Sequence, residues 1–132
     1  MALERSPTEK GKRYYMPFVQ LITPQKLSEQ DKKNLWKEVG LATEALPGKE
    51  AKTLILVISD GTTICLEGEC QASFAHIEVK YMGHYELEYK KAFAKATYDA
   101  INRTIGTPID KMAFNITECT GWGGFGGYFE MT

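Results

Sequence analysis

In the stretch Ser73-Phe74-Ala75-His76-Ile77-Glu78-Val79-Lys80-Tyr81, apolar and polar side chains alternate strictly from Ala75 to the last residue. Successive side chains of an extended strand point to opposite faces. Ala75, Ile77, Val79 and Tyr81 therefore define a face packed on a core, and His76, Glu78 and Lys80 define the other. Toward the C-terminus, Leu87, Ala94, Tyr98, Ile101 and Ile105 recur at helical spacing within Tyr85 to Ile105. The segment opens with Glu86 and Glu88, favourable at a helix N-terminus, and stops at Gly106 with Pro108 beyond. Met112, Phe114 and Ile116 then alternate with Ala113, Asn115 and Thr117, which predicts another strand.

The N-terminal half runs through the same scheme. Phe18-Val19-Gln20-Leu21-Ile22 is short and apolar, closed by Thr23-Pro24, and reads as a strand. Ser28 with Asp31 three residues on resembles a capping box, after which Leu35, Val39, Ala42 and Leu46 keep helical spacing until Pro47-Gly48. Thr53-Leu54-Ile55-Leu56-Val57-Ile58 is continuous and rich in β-branched residues, so the expectation is a strand buried on both faces, ended by Asp60-Gly61. A loop is expected at about 60 to 71.

The order is thus β-α-β, β-α-β, a pseudo-repeat of two similar halves. The fold class is α/β in the broad sense (α+β): a four-stranded sheet with two helices. Crossovers between parallel strands are right-handed, so two like units place both helices on one face. The other face then mixes His76, Glu78, Lys80, Asn115 and Thr117 with apolar residues of the first two strands. Such a face suits contact between subunits around a wet channel.

With 132 residues the chain has room for one domain. Residues 1–15 hold four cations (Arg5, Lys10, Lys12, Arg13) against two anions and few apolar side chains, which reads as a flexible extension ahead of a domain at 16–132. The longest purely apolar run, Leu54 to Ile58, falls far short of the roughly twenty residues of a membrane span. Sixteen Lys and Arg against seventeen Asp and Glu lack the basic excess that nucleic acid requires. Cys65, Cys70 and Cys119 form no C-x-x-C pair and follow no signal peptide, so free thiols in a reducing cytoplasm are expected. With only His76 and His84 nearby they match no zinc spacing, and no metal site is expected.

Gly121-Trp122-Gly123-Gly124-Phe125-Gly126 fits the G-x-G-x-x-G pattern letter for letter. A dinucleotide fingerprint needs a helix whose N-terminus meets the pyrophosphate, and the six residues after Gly126 leave no room for one. The segment reads instead as a glycine-rich tail placing Trp122, Phe125, Tyr128 and Phe129 against a neighbouring surface. Neither histidine has a nucleophile at informative spacing, and hydrolase, metalloprotease and Walker motifs are missing.

Met16-Pro17-Phe18-Val19, leading into β-α-β-β-α-β, resembles the tautomerase superfamily, in which an N-terminal proline is the catalytic base. The chain is most similar to the macrophage migration inhibitory factor (MIF) branch. Further stretches carry the likeness: Pro47-Gly48-Lys49 before the second strand, Ser73-Phe74-Ala75-His76 at the third, Thr107-Pro108-Ile109-Asp110-Lys111 before the fourth, Asn115 within it, and Gly121-Trp122. It spans residues 16 to 129. The resemblance implies a homotrimer without cofactor or metal, acting on a small 2-oxo acid by keto-enol interconversion. Pro17 would be the base and Lys49 the cation that holds the substrate carboxylate. Asn115 would come from the adjacent subunit, and Trp122 or Phe125 would wall the site.

Elementary chemistry explains why a proline would serve. An α-amino group titrates around 7.7 to 8.0 in model peptides. Burial and a nearby cation both disfavour its protonated form and lower that value. Inside a peptide bond, however, the nitrogen has no basic lone pair. Catalysis therefore requires that translation begin at Met16, with that residue removed, or that residues 1–16 be cleaved. Three positions depart from the family pattern. Ser73 replaces the second Cys of the family's C-x-x-C, so thiol oxidoreductase activity is not expected. Ala113 replaces an aromatic acid/base helper. Glu78 replaces an aliphatic residue; pointed at Pro17 it would raise the amine pKa, or it could activate water as in hydratases and dehalogenases of unsaturated acids. The alternatives to a tautomerase are such an enzyme, or a non-catalytic MIF-like trimer with a blocked proline.

Overall fold

The computed structural model describes residues 16–131. The expected flexible extension at 1–15 lies outside the described residues. Strand β1 (Phe18–Ile22) leads to helix α1 (Glu29–Thr43) and strand β2 (Ile55–Ser59). A small hairpin of β3 (Cys65–Leu66) and β4 (Glu69–Cys70) follows. Strand β5 (Ala75–Met82), helix α2 (Leu87–Ile105) and strand β6 (Met112–Cys119) form the second half. A closing hairpin pairs β7 (Gly121–Gly124) with β8 (Gly127–Glu130).

The four long strands form one sheet in the order β2-β1-β5-β6. Each half contributes a parallel pair, and the halves join antiparallel through β1 and β5, with Phe18 opposite Lys80 and Ile22 opposite His76. This is the expected pseudo-repeat. Val19, Leu21, Ala75, Ile77, Val79 and Tyr81 pack in a single core with Leu35 and Val39 of α1 and Phe93 and Ile101 of α2. Both helices therefore cover one face.

The local chemistry of the ends is as the residues dictate. Ser28 Oγ accepts from the backbone N–H of Asp31, and the Asp31 carboxylate accepts from that of Ser28, a reciprocal cap. Helix α2 ends at Gly106 with φ 77°, a left-handed conformation that glycine adopts without a Cβ penalty.

Three expectations are corrected. The second strand is not buried on both faces: it starts at Ile55, forms an edge of the sheet, and leaves Ile55 and Val57 38% and 39% exposed on the face the helices do not cover. Helix α2 starts two residues later than the expected Tyr85, and Leu87 is exposed because its inward row runs through Phe93, Thr97, Ala100 and Ile101. The expected loop at 60 to 71 contains the β3–β4 hairpin, turned by Glu67 (φ 53°) and Gly68 (φ 79°).

Candidate functional site

The outer face of the sheet is laid out in rows by strand register. Ile55, Phe18, Lys80 and Thr117 form one; Val57, Gln20, Glu78 and Asn115 the next; Ser59, Ile22, His76 and Ala113 the third. Glu78 and Asn115 are thus side by side there. His76 Nε2 donates to Glu78 Oε2 at 2.5 Å.

Pro17 has the opposite parity. It is buried at the head of β1, and its carbonyl accepts from Ile55 N–H at 2.9 Å. The β1–β5 register carried back one residue sets it across from Tyr81, at the helix-covered face. The Glu78 side chain therefore does not point at Pro17 within one chain, because odd and even positions of paired strands face opposite ways.

Lys49 reaches the same corner from the α1–β2 connection. Its backbone N–H donates to Leu46 O at 3.0 Å, and the adjoining Pro47 carbonyl accepts from Tyr85 Oη at 2.5 Å. The lysine is 5% exposed and its Nζ stands 5.4 Å from the Tyr81 ring centroid. Burial pushes its ammonium down to about 8. A ring face attracts a cation electrostatically, so Tyr81 is a seat for whatever charge remains.

Beneath that seat is a polar support that the sequence did not disclose. Tyr81 Oη donates to Glu118 Oε2 at 2.8 Å, and the same carboxylate accepts from Tyr85 N–H at 2.8 Å, His84 Nδ1 at 2.8 Å and Lys90 Nζ at 3.2 Å. Desolvation works to raise the Glu118 pKa. The hydrogen bonds from Tyr85, His84, Tyr81 and Lys90 outweigh it and hold the carboxyl at about 2. Burial, then the Glu118 carboxylate, drives the Tyr81 phenol pKa upward, so Tyr81 stays neutral and donates. Tyr81 was legible only as a core residue, and Glu118 lies past the alternation that marks β6.

Trp122 is half-buried in the terminal hairpin, packed on Met82 and Met131, while Phe125 is at its tip and 62% exposed. Phe125 (φ 53°) and Gly126 (φ 83°) make the turn, so the G-x-G-x-x-G segment is a β-hairpin and offers no helix N-terminus. A cleft of about 360 Å³ opens between Gly83, His84, Glu118, Cys119, Thr120 and Met131; neither Pro17 nor Lys49 lines it. Among the described residues, no group of three or more His, Cys, Asp and Glu side chains is placed to hold a metal ion, and no helix is long and apolar enough to cross a membrane.

Solved structures share this architecture. MIF2 of Leishmania major superposes with a TM-score of 0.78 at 25% identity, covering 87% of this chain and 98% of its own. Pt0534 inactivated by 2-oxo-3-pentynoate gives 0.75 at 16% identity over 83% and 93% of the two chains. A wild-type fused 4-OT asymmetric trimer gives 0.70 at 21% identity over 77% and 85%. No family model and no curated protein matches the sequence. The chain has the fold of the tautomerase superfamily, and its structural neighbours include the MIF and 4-OT proteins.

Proposed function

We propose that the domain is a tautomerase of small 2-oxo acids that acts as a homotrimer, with Pro17 as general base once residues 1–16 are absent. The observation that carries this reading is that a buried Pro17, set across from Tyr81 by strand register, and a buried Lys49, 5.4 Å from the Tyr81 ring centroid, share one corner of the fold. Lys49 binds the substrate carboxylate and, as a cation in a low-dielectric corner, lowers the basicity of the freed amine toward neutral pH. Pro17 takes the α-proton and returns it to the enol oxygen. The 2-oxo acid reagent that inactivates Pt0534 supports this substrate class.

The assembly follows from the uncovered outer face. Ile55 and Val57 are exposed at an edge strand, a surface that a lone chain in water would present for aggregation. Three copies closing around these faces would cover it, and the fused 4-OT neighbour is itself a trimer. Asn115 then enters the site from the next subunit, with Trp122 and Phe125 of a terminal hairpin walling it. Glu78 binds across the same interface rather than beside its own Pro17.

The test is enol-keto conversion of an aryl pyruvate by protein beginning at Pro17, beside the full chain and a Pro17→Gly variant of the short form. Removing the base is expected to slow the reaction by about 100-fold or more. Light scattering is expected to give three times 14.8 kDa for the full chain and three times the mass of the shortened chain for the short form. Equal rates with and without residues 1–16 would overturn the mechanism, and a stable monomer with full activity would overturn the shared site. Retention of residues 1–16 in protein from its native source, shown by intact mass, favours the non-catalytic trimer.

A further inference from the structure

The β3–β4 hairpin places two thiols against each other. Cys65 pairs directly with Cys70 across the ladder, and their Sγ atoms are 3.1 Å apart. Both residues are exposed. They are five positions apart in sequence, so no C-x-x-C spacing announces them, and Glu67 and Gly68 supply the left-handed turn that brings them together.

The ladder fixes which kind of pair this is. Antiparallel strands alternate between bonded pairs and non-bonded ones, and in the latter the side chains stand closer, with Cα atoms about 4.5 Å apart. Gln71 N–H donates to Ile64 O at 2.8 Å, so Ile64 and Gln71 are a bonded pair and Cys65 with Cys70 is the non-bonded pair beside it. That separation lies within the roughly 4.4–6.8 Å that a disulfide spans. The bond can form without moving the backbone. The hairpin is tied down beyond the pair: Gln71 Nε2 donates to Glu69 O at 3.2 Å, and Lys111 Nζ donates to Gln71 Oε1 at 3.3 Å.

We propose that Cys65 and Cys70 are a reversible dithiol–disulfide site, oxidised by low-molecular-weight disulfides and reopened by dithiols. One thiolate attacks a sulfur of glutathione disulfide, forming a mixed disulfide and releasing one glutathione. The second thiolate attacks the protein sulfur of that mixed disulfide, closing the Cys65–Cys70 bond and releasing the other. The protein loses two electrons and two protons, and the small disulfide becomes two thiols. In the reduced state the Cys70 sulfur pushes the Cys65 thiol up, so the exchange draws on a small thiolate fraction and speeds as pH rises. The remaining cysteine, Cys119, is half-buried and takes no part.

Full-length protein equilibrated with glutathione disulfide and digested without reductant by a glutamate-specific protease tests this. Cleavage after Glu67 and Glu69 separates the two cysteines unless they are bonded. The expected result is a linked fragment pair, two hydrogens lighter than the separate peptides and released by dithiothreitol. Cys65→Ser or Cys70→Ser should abolish it and leave glutathione attached to the surviving thiol, while Cys119→Ser should change nothing. Glutathione carried on both thiols of the unsubstituted chain, two unmodified thiols, or linkage to Cys119 or to a second chain would overturn the proposal.

Discussion

The two ends of the sheet are built on one plan and finished differently. At one end Asp60, just past β2, accepts the N–H of Leu27, the residue before the Ser28 cap, at 2.9 Å, and lies 4.0 Å from Lys32. At the other, Glu118 near the end of β6 accepts the N–H of Tyr85, the residue before the Glu86 cap, at 2.8 Å, and lies 3.2 Å from Lys90. In each half a carboxylate at the strand end thus ties down the entry to that half's helix and pairs with a lysine four residues past its cap. The first end is then filled by neutral groups: Gln25 Oε1 accepts from Thr107 Oγ1 at 2.9 Å, and Gln25 Nε2 donates to Ile105 O at 3.2 Å. The second has a longer carboxylate that also takes the Tyr81 phenol, and above that ring is a buried Lys49. A backbone repeated twice therefore carries a buried cation at one end only among the described residues, and one methylene, Glu for Asp, lets the carboxylate reach Tyr81 there.

Removing the carboxylates measures that difference most directly. Glu118→Ala leaves the Tyr81 phenol, the Tyr85 N–H and Lys90 without their acceptor, and a loss on the order of 3 kcal/mol in denaturant unfolding is expected. Asp60→Ala should cost clearly less, because its carboxylate accepts one backbone N–H and meets Lys32 at 4.0 Å, where Glu118 holds four donors at 3.2 Å or less. The pH dependence has the same sign at both ends. A carboxyl held below its unfolded value contributes stability that is complete above the unfolded pKa and is lost as pH falls through the folded one. For Glu118 the window runs from 4.5 down to about 2. Glu118→Gln should flatten that acid limb; an unchanged limb would refute the special weight given to this end.

How much of this could be read beforehand follows from the kind of signal each feature leaves. The alternation at Ala75, Ile77, Val79 and Tyr81 identifies the covered face because every other residue must be apolar there, and all four are buried. Ser28, Asp31 and Gly106 mark helix ends because few side chains do those jobs. Pro17 and Lys49 stood out through resemblance, since a proline and a lysine carry no chemistry in their spacing. The Asp60 and Glu118 ties were illegible: their partners are backbone amides, which any residue supplies, and the two carboxylates differ in length. Continuous apolarity over 54–58 suggested two covered faces where the single chain covers one. Neither turn carries Asn-Gly or Asp-Gly, so Glu67-Gly68 and Phe125-Gly126 gave no hairpin signal.

Lys49 sharpens the comparison from above. A buried ammonium whose pKa falls from 10.5 to about 8 binds its proton less well in the folded chain than in the unfolded one. Between pH 8 and 10.5 the unfolded state holds more protons, so stability rises with pH across that window and is constant above it. Lys49→Met removes the penalty: stability at pH 7 should increase by about 2–3 kcal/mol, and the alkaline rise should vanish. Turnover of the aryl pyruvate should fall in the same variant. A variant that is both less stable and flat in pH would mean that the charge is fully compensated where it stands.

The smallest expected effect separates the two lysines four residues past the helix caps. Lys90 is 27% exposed at its side chain and approaches Glu118 to 3.2 Å, whereas Lys32 is 34% exposed, 4.0 Å from Asp60, and also 3.7 Å from Glu29. Both pairs are open enough to water for screening to dominate, which holds such interactions to about 0.2–1 kcal/mol. Within that range geometry ranks them: a shorter contact to a carboxylate already ordered by three other donors loses less side-chain entropy on forming. Lys90→Met is therefore expected to lower stability by about 1 kcal/mol and Lys32→Met by about 0.3 kcal/mol at low salt. Both differences should shrink as salt is added, and Lys32→Met should reach zero first. If the order is reversed, Lys32 gains more from bridging Glu29 and Asp60 than Lys90 gains from an ordered partner, and the two helix entries are not equivalent in energy as they are in geometry.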